Sequence, residues 1–215
     1  MKLISINAGK EKTQINKGRE EITGIYKSAL QGPVQITKLG IEDDFIGSPK
    51  HHGGPDQALY VYGGADYQWW EHETGREMLP GMFGDNLTIS DLECGNLNIG
   101  DFLYIGEVKL QVTSPRIPCS TFATRMEDPQ WVKKFSAENR PGFYVRVLQE
   151  GTLTVEEDVR VEKYTGETLS LVQVYRDHYE KENRDEANLR KHLASPLSIR
   201  MREKYEGELQ ALLNT

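Results

Sequence analysis

Over its first 165 residues this chain never keeps a helical apolar period for long. Short runs rich in β-branched and aromatic residues recur instead, and Gly, Pro and Asp punctuate them. Such runs favour strands, because a pleated backbone presents alternate side chains to one packed face. The pattern predicts strands at Lys2–Asn7, Glu21–Ile25, Val34–Leu39, Ala58–Tyr62, Asn86–Ile89, Asn98–Ile105, Val108–Thr113, Gly142–Leu148 and Val159–Tyr164. Gly106-Glu107, between two alternating runs, reads as a two-residue hairpin turn. Gly100-Asp101 reads as a bulge or bend, since the strand pattern resumes after it. Helical inserts are predicted at Ala65–Glu73, Ser120–Met126 and Pro129–Ser136. Many short strands with few long helices point to a barrel or a strongly bent sheet.

After about Tyr164 the period becomes helical. Residues 166–215 hold one proline and two glycines. Leu169, Val172 and Tyr175 share a face. Asn183 with Glu186 resembles a capping box ahead of Leu189 and Leu193. Ser195-Pro196 reads as an N-cap followed by proline at the first helical position, and Leu197, Met201, Tyr205, Leu209 and Leu212 continue as a stripe. The expected fold is therefore mainly β with helical inserts over residues 1–165, followed by a small C-terminal three-helix extension over 166–215. The extension serves packing or dimerisation. Its eight Lys/Arg against nine Asp/Glu give no basic face for nucleic acid.

A net charge of −7 argues against a polyanion-binding protein, though a local basic pocket for one phosphorylated ligand is compatible with it. No run approaches the ~18 apolar residues of a membrane span. The N-terminal apolar stretch is too short for a signal peptide, so a cytoplasmic location is expected. The two cysteines, Cys94 and Cys119, form no CxxC pair, and free thiols are the simpler expectation.

Cys119 stands between a strand-like and a helix-like run, in Ser114-Pro115-Arg116-Ile117-Pro118-Cys119. Helix N-terminal amides and the Arg116 charge favour a thiolate there, and two prolines stiffen the connection. The other reading is a small buried hydrophobe. His51-His52-Gly53-Gly54-Pro55-Asp56 reads as a ligand-cradling loop with an imidazole as proton donor or metal neighbour, or as an ordinary turn. Gly84-Asp85-Asn86 can present amides and a carboxylate ahead of a strand. Lys27 closes Thr23-Gly24-Ile25-Tyr26-Lys27, where it reaches a phosphate or merely solvent. There is no Gly-x-Ser-x-Gly elbow, Walker loop or His-Glu-x-x-His helix.

Taken in order, Thr23 to Lys27, His52-Gly-Gly-Pro-Asp56 followed by Ala58-Leu-Tyr-Val-Tyr62, Tyr67 and Trp70, Phe83-Gly-Asp-Asn-Leu87, Ile99-Gly-Asp101 and Pro115-Arg-Ile-Pro-Cys119 resemble the MOSC domain. That family is named for the C-terminal domain of molybdenum cofactor sulfurases. The chain most resembles its stand-alone bacterial YiiM-like branch, whose three-helix extension the tail matches. The resemblance implies a β-barrel-like fold around a pocket and binding of the molybdenum cofactor, a molybdopterin that carries a phosphate and a dithiolene-bound metal. It makes Cys119 the metal ligand or sulfur carrier, with His51 or His52 as proton donor. Thr23, Lys27, Gly53, Gly54, Asp56, Asp85, Asn86, Ser114 and Arg116 become the cofactor-binding set. Whether Arg116 serves the thiolate or the phosphate is open. The family usually has Gly-Glu-Asn-Leu where this chain has Gly84-Asp85-Asn86-Leu87. The implied activity is reduction of small N-hydroxylated substrates, such as hydroxylaminopurines, to amines. No flavin, nicotinamide or iron–sulfur motif is present, so a separate electron-donor protein is expected. The alternatives are a carrier holding a persulfide on Cys119, and an interaction protein in which Cys119 is inert. A homodimer is compatible with any of these.

Overall fold

The computed structural model describes residues 1–49, 52–180, 182 and 184–214. Its strands are β1 (Leu3–Gly9), β2 (Lys12–Asn16), β3 (Arg19–Thr23), β4 (Lys27–Ala29), β5 (Val34–Thr37), β6 (Gly40–Ile41), β7 (Leu59–Gly63), β8 (Leu87–Ile89), β9 (Phe102–Ile105), β10 (Val108–Pro115), β11 (Phe143–Gln149), β12 (Gly151–Leu153) and β13 (Val159–Glu162). The helices are α1 (Gly64–Thr74), α2 (Ser120–Arg125), α3 (Trp131–Ala137), α4 (Leu171–Tyr179), α5 (Glu186–Ala194) and α6 (Ile199–Leu213). This is the mainly β fold with helical inserts and C-terminal helices that the sequence patterns predict.

Eight strands form one sheet in the order β13–β9–β10–β11–β7–β8–β1–β4. All its pairs are antiparallel except β7–β8, which α1 connects. The far side of β1 reaches the other end of this sheet. Lys2 bridges Asp158, Leu3 N–H donates to Glu157 O at 3.0 Å, and Val159 N–H donates to Met1 O at 2.9 Å. These bonds close β1, β8, β7, β11, β10, β9 and β13 into a barrel, which removes the open edges that strands otherwise present. Gly106 takes φ 53° in the β9–β10 turn, where Ile105 pairs Val108.

The helical inserts pack as an aromatic cluster. Trp70 of α1 stacks on Phe135 of α3 at 5.6 Å between centroids, and Phe83, Phe122 and Trp131 surround them edge-on or tilted. All five are essentially buried. Burial of each such side chain is worth about 2–3 kcal/mol, enough to fix the short α2 that follows Cys119.

Besides the short strands β4, β6 and β12, which have no counterpart among the predicted strands, four details differ from the sequence pattern. The strand expected at Glu21–Ile25 is β3, and its partner β2 has no counterpart among the predicted strands. This hairpin, turning at Lys17-Gly18, is exposed along most of both strands, so hydropathy does not mark it. The strand expected from Asn98 begins only at Phe102. The Asp101 carboxylate accepts Asn98 N–H, Tyr164 N–H and the Lys163 ammonium, which fixes a turn with Gly100 at φ 91°. The N-cap of α5 is Asp185, whose carboxylate accepts Asn188 N–H; Asn183 lies outside the described residues. Ser195-Pro196 does not open α6. Residues 195–198 run extended because Arg146 takes the carbonyls of Pro196 and Leu197, and Ser198 N–H donates to Thr113 O, so helix begins at Ile199.

Candidate functional site

A cavity of about 410 Å³ opens beside the barrel, a size suited to a small-molecule ligand. Three stretches of chain build it. The first runs from β10 into Arg116-Ile117-Pro118-Cys119 and on to α2. Arg116 N–H is held by Gly142 O at 3.2 Å, and Cys119 sits extended at the N-cap position of α2. Its carbonyl accepts Phe122 N–H at 3.1 Å and Ala123 N–H at 3.2 Å, and Cys119 itself, half-buried, lines the cavity. With six residues, α2 is too short to supply much dipole, so the sulfur's environment is set by Arg116 more than by the helix.

Arg116 is 4% exposed, and its guanidinium lies 4.1 Å from the Phe122 ring centroid. Among the described residues no carboxylate forms an ion pair with it, and Nη1 has no hydrogen-bond partner. Burial works against its charge, while Cys119, Tyr60 and Tyr144 beside it raise its pKa through the negative charge they carry once ionised. A buried guanidinium costs several kcal/mol unless an anion faces it.

The second stretch is the loop before β7. Gly53 and Gly54 adopt φ 78° and 87°, left-handed values that glycine alone takes freely. At Gly53 a Cβ would also strike Ile46. This turn puts His52 and Gly53 in the cavity wall, while Gly54 faces outward. His52 Nδ1 lies 3.1 Å from the Tyr144 hydroxyl. Burial, then the charges of Arg116 and Arg200, push the His52 pKa down to about 4, so the imidazole is neutral at pH 7. His51 lies outside the described residues. Asp56 leaves the cavity: Oδ2 accepts Ile199 N–H at 2.8 Å, and Oδ1 lies 2.9 Å from Arg146 Nε.

The third stretch is the β3–β4 connection with residues 44–48. Thr23 lines the cavity, but its hydroxyl accepts Ile25 N–H at 3.1 Å. Lys27 Nζ donates to both oxygens of Asp44, at 2.5 and 2.6 Å, with both side chains under 10% exposed. Burial lowers the Lys27 pKa and Asp44 opposes that shift. Asp44 also accepts Gly9 N–H and the Asn86 amide, whose oxygen in turn accepts Tyr60 N–H. Lys27 and Asn86 thus reach the cavity already paired. The backbones here cross very closely: a Cβ on Gly24 would lie 1.7 Å from Phe45 O, and one on Gly9 would lie 2.0 Å from Gly24 O.

Besides Gly54 and Asp56, two more residues of the expected set lie apart from the cavity wall. Asp85 is fully buried, and its carboxylate accepts the Tyr67 hydroxyl, the Thr88 hydroxyl and Gly81 N–H. Burial raises its pKa against those three bonds. Ser114 is buried with Oγ unpartnered, one residue short of the stretch that turns inward. Of the lining residues that escape the sequence reading, three act on the charged groups of the site. Asp44 sits in an acidic run, Glu42-Asp43-Asp44, that looks like a solvated turn. Tyr144 sits in a strand whose aromatic content reads as core. Glu21 sits on the unmarked hairpin and accepts the Thr121 hydroxyl at 2.6 Å. Burial raises the Glu21 pKa, but hydrogen bonds from Thr121, Asn16 and Gln14 outweigh it and leave it lowered.

The donor set fits the molybdenum cofactor. A guanidinium with an unpartnered nitrogen suits a phosphate, and a thiol in the same wall is the soft donor type that would suit molybdenum. Among the described residues no cluster of three or more His, Cys, Asp or Glu side chains offers a metal site made by protein alone. No helix among them is long and apolar enough to cross a membrane.

Comparisons with known proteins identify the family and the fold. Residues 48–160 match the model of the MOSC domain, from the His52 loop to β13. YflK of Bacillus subtilis is 35% identical over 152 residues, covering 71% of this chain and 69% of YflK. A protein of Gibberella moniliformis named Reductase is 30% identical over 175 residues, but this chain spans only 29% of its length. The crystal structure of YiiM from Geobacillus stearothermophilus superposes with a TM-score of 0.78 at 29% identity, covering 96% of this chain and 98% of that one. The matched region contains both the Arg116–Cys119 wall and the His52 loop, and the chain belongs to the MOSC domain family.

Proposed function

We propose that the cavity binds the molybdenum cofactor and that the chain is an oxidoreductase reducing small N-hydroxylated compounds to amines. The observation that carries this reading is the buried Arg116 guanidinium, unpaired with any carboxylate of the described residues, in the same wall as the Cys119 thiol. Membership of the MOSC family and similarity to a protein named Reductase support it. Arg116 holds the cofactor phosphate with its planar fork. Cys119 gives its thiolate to molybdenum. Lys27, tied to Asp44, shapes the wall and leaves the phosphate to Arg116. Gly53 lets backbone approach the ligand closely. When bound, the cofactor supplies the two-electron redox change.

The overall conversion takes two electrons and two protons, breaks the N–O bond, and yields an amine and water. The electrons come from a separate donor protein. Among the groups of this chain that hold a proton at the cavity are His52 and Tyr144, at an imidazole nitrogen and the hydroxyl 3.1 Å from it. A bound anion cancels the push of Arg116 on His52 and moves the imidazole toward the range where it exchanges protons near neutrality.

The test loads wild type, Cys119→Ser and Arg116→Gln with cofactor, assays bound molybdenum and pterin, and follows reduction of an N-hydroxylated purine with a reduced viologen dye. Wild type is expected to retain both and turn over, Cys119→Ser to lose molybdenum, and Arg116→Gln to lose pterin. Fully loaded wild type without turnover would sink the reductase reading. Sulfane sulfur on Cys119 without turnover would establish the carrier instead.

A further inference from the structure

The last helix starts against the loop that lines the cavity. Its first amide, Ile199 N–H, donates to Asp56 Oδ2 at 2.8 Å. One residue on, the Arg200 guanidinium forks: Nη1 donates to Gln57 Oε1 at 2.5 Å and Nη2 to Pro49 O at 2.7 Å. One side chain of α6 thus grips both flanks of the turn that carries His52 and Gly53. Arg146 backs the grip, lying 2.9 Å from Asp56 while donating to Pro196 O and Leu197 O. The turn needs an external hold, because two successive left-handed glycines lose more conformational freedom on ordering than any other pair.

We propose that α6 is a positioning element for the cavity, with Arg200 acting through Gln57 and Pro49, and the Ile199 amide through Asp56, to keep His52 and Gly53 in the cavity wall. This deepens the cofactor-site reading and rests on it for its functional meaning. Arg200 is a positioning residue, since it does not line the cavity itself. Its charge nevertheless reaches the site. Burial has the largest effect on the protonation of His52; beyond it, Arg116, Arg200 and Lys27 disfavour the imidazolium, Glu21 favours it, and the Tyr144 hydroxyl lies on Nδ1. The C-terminal helices and the cavity are therefore coupled by contact and by charge.

The experiment uses the full chain as wild type, Arg200→Ala, Arg200→Lys, Gln57→Ala, Arg116→Gln as a control without the anion-facing guanidinium and, as a control on exposed helix surface, Arg190→Gln. Amide hydrogen exchange, His52 titration by NMR and binding of inorganic phosphate are measured on each. Exchange within 52–57 is expected to quicken about tenfold in Arg200→Ala and Gln57→Ala, with the barrel unchanged. The His52 midpoint is expected to rise in Arg200→Ala and to stay put in Arg200→Lys, which keeps the charge. Phosphate binding is expected to weaken several-fold in Arg200→Ala and to be lost in Arg116→Gln. Unchanged exchange at 52–57 in both Arg200→Ala and Gln57→Ala overturns the proposal. If Arg200→Ala loosens α6 as a whole, Gln57→Ala decides, because it breaks the grip from the loop side. Failure of wild type to bind phosphate counts against the cofactor-site reading alone and leaves the exchange result to judge the grip.

Discussion

Replacing Arg116 by methionine should make the ligand-free protein more stable while removing its affinity for anions. The argument starts from burial. Arg116 is 4% exposed and has no carboxylate partner among the described residues. Desolvation of such a charge costs several kcal/mol, of which the open cavity leaves about 2–3. Stacking over Phe122 at 4.1 Å returns about 1 kcal/mol. Methionine keeps most of the stem packing and carries no charge. The net expectation is about 1–2 kcal/mol of added stability, or a Tm rise of about 2–8 °C for a chain of this size. Inorganic phosphate at a hundred times its Kd should then stabilise wild type by about 2.7 kcal/mol and leave the variant where it was. Thermal unfolding with and without phosphate, followed by circular dichroism, reads both effects. A ligand-free variant weaker than wild type by 2 kcal/mol, together with an undiminished phosphate response, would show that the guanidinium serves packing and that the anion sits elsewhere.

Three further outcomes are expected. The His52 pKa falls from 6.5 to about 4 on folding, so the unfolded chain binds the proton more readily; about 3 kcal/mol of stability present above pH 6.5 should drain away as pH falls to 4, and urea titrations of His52→Gln should show a flatter profile over that window. Gly24→Ala should cost at least about 2–3 kcal/mol in urea unfolding, because its Cβ would meet backbone, Phe45 O, which cannot swing aside. Asp85→Glu should lower stability by about 1–3 kcal/mol without altering phosphate affinity, since an extra methylene enters a fully buried nest of three donors away from the cavity wall; a neutral effect on Tm would show that this nest has slack.

Local patterns made most of the barrel legible. Val108–Thr113 and Gly142–Leu148 alternate or run apolar because they lie at its centre, and their predicted limits fall within two residues of β10 and β11. The hairpin β2–β3 was not legible, since most of its side chains face solvent and carry no periodic apolar signal. The site divides on the same principle. Cys119, Arg116, His52 and Gly53 announce themselves through residue type and stiff neighbours. Asp44 and Tyr144 matter through long-range geometry: Asp44 gathers Gly9, Lys27 and Asn86 from distant stretches, which no local window contains. Asp85 shows the converse. Its Gly-Asp-Asn setting looks like a ligand loop, but its carboxylate is consumed by the chain's own donors.

The seam that closes the barrel has a consequence for biosynthesis. Residues 1–3 pair with 156–159, about 150 positions later, so vectorial synthesis exposes one flank of the first stave until nearly three quarters of the chain has emerged. Through that interval an unsatisfied row of amides and carbonyls can recruit a neighbouring nascent chain. A topology weighted to such distant pairings folds in milliseconds to seconds rather than microseconds. Yield during rapid expression should therefore respond to translation rate and temperature, even for variants whose finished barrels are equally stable.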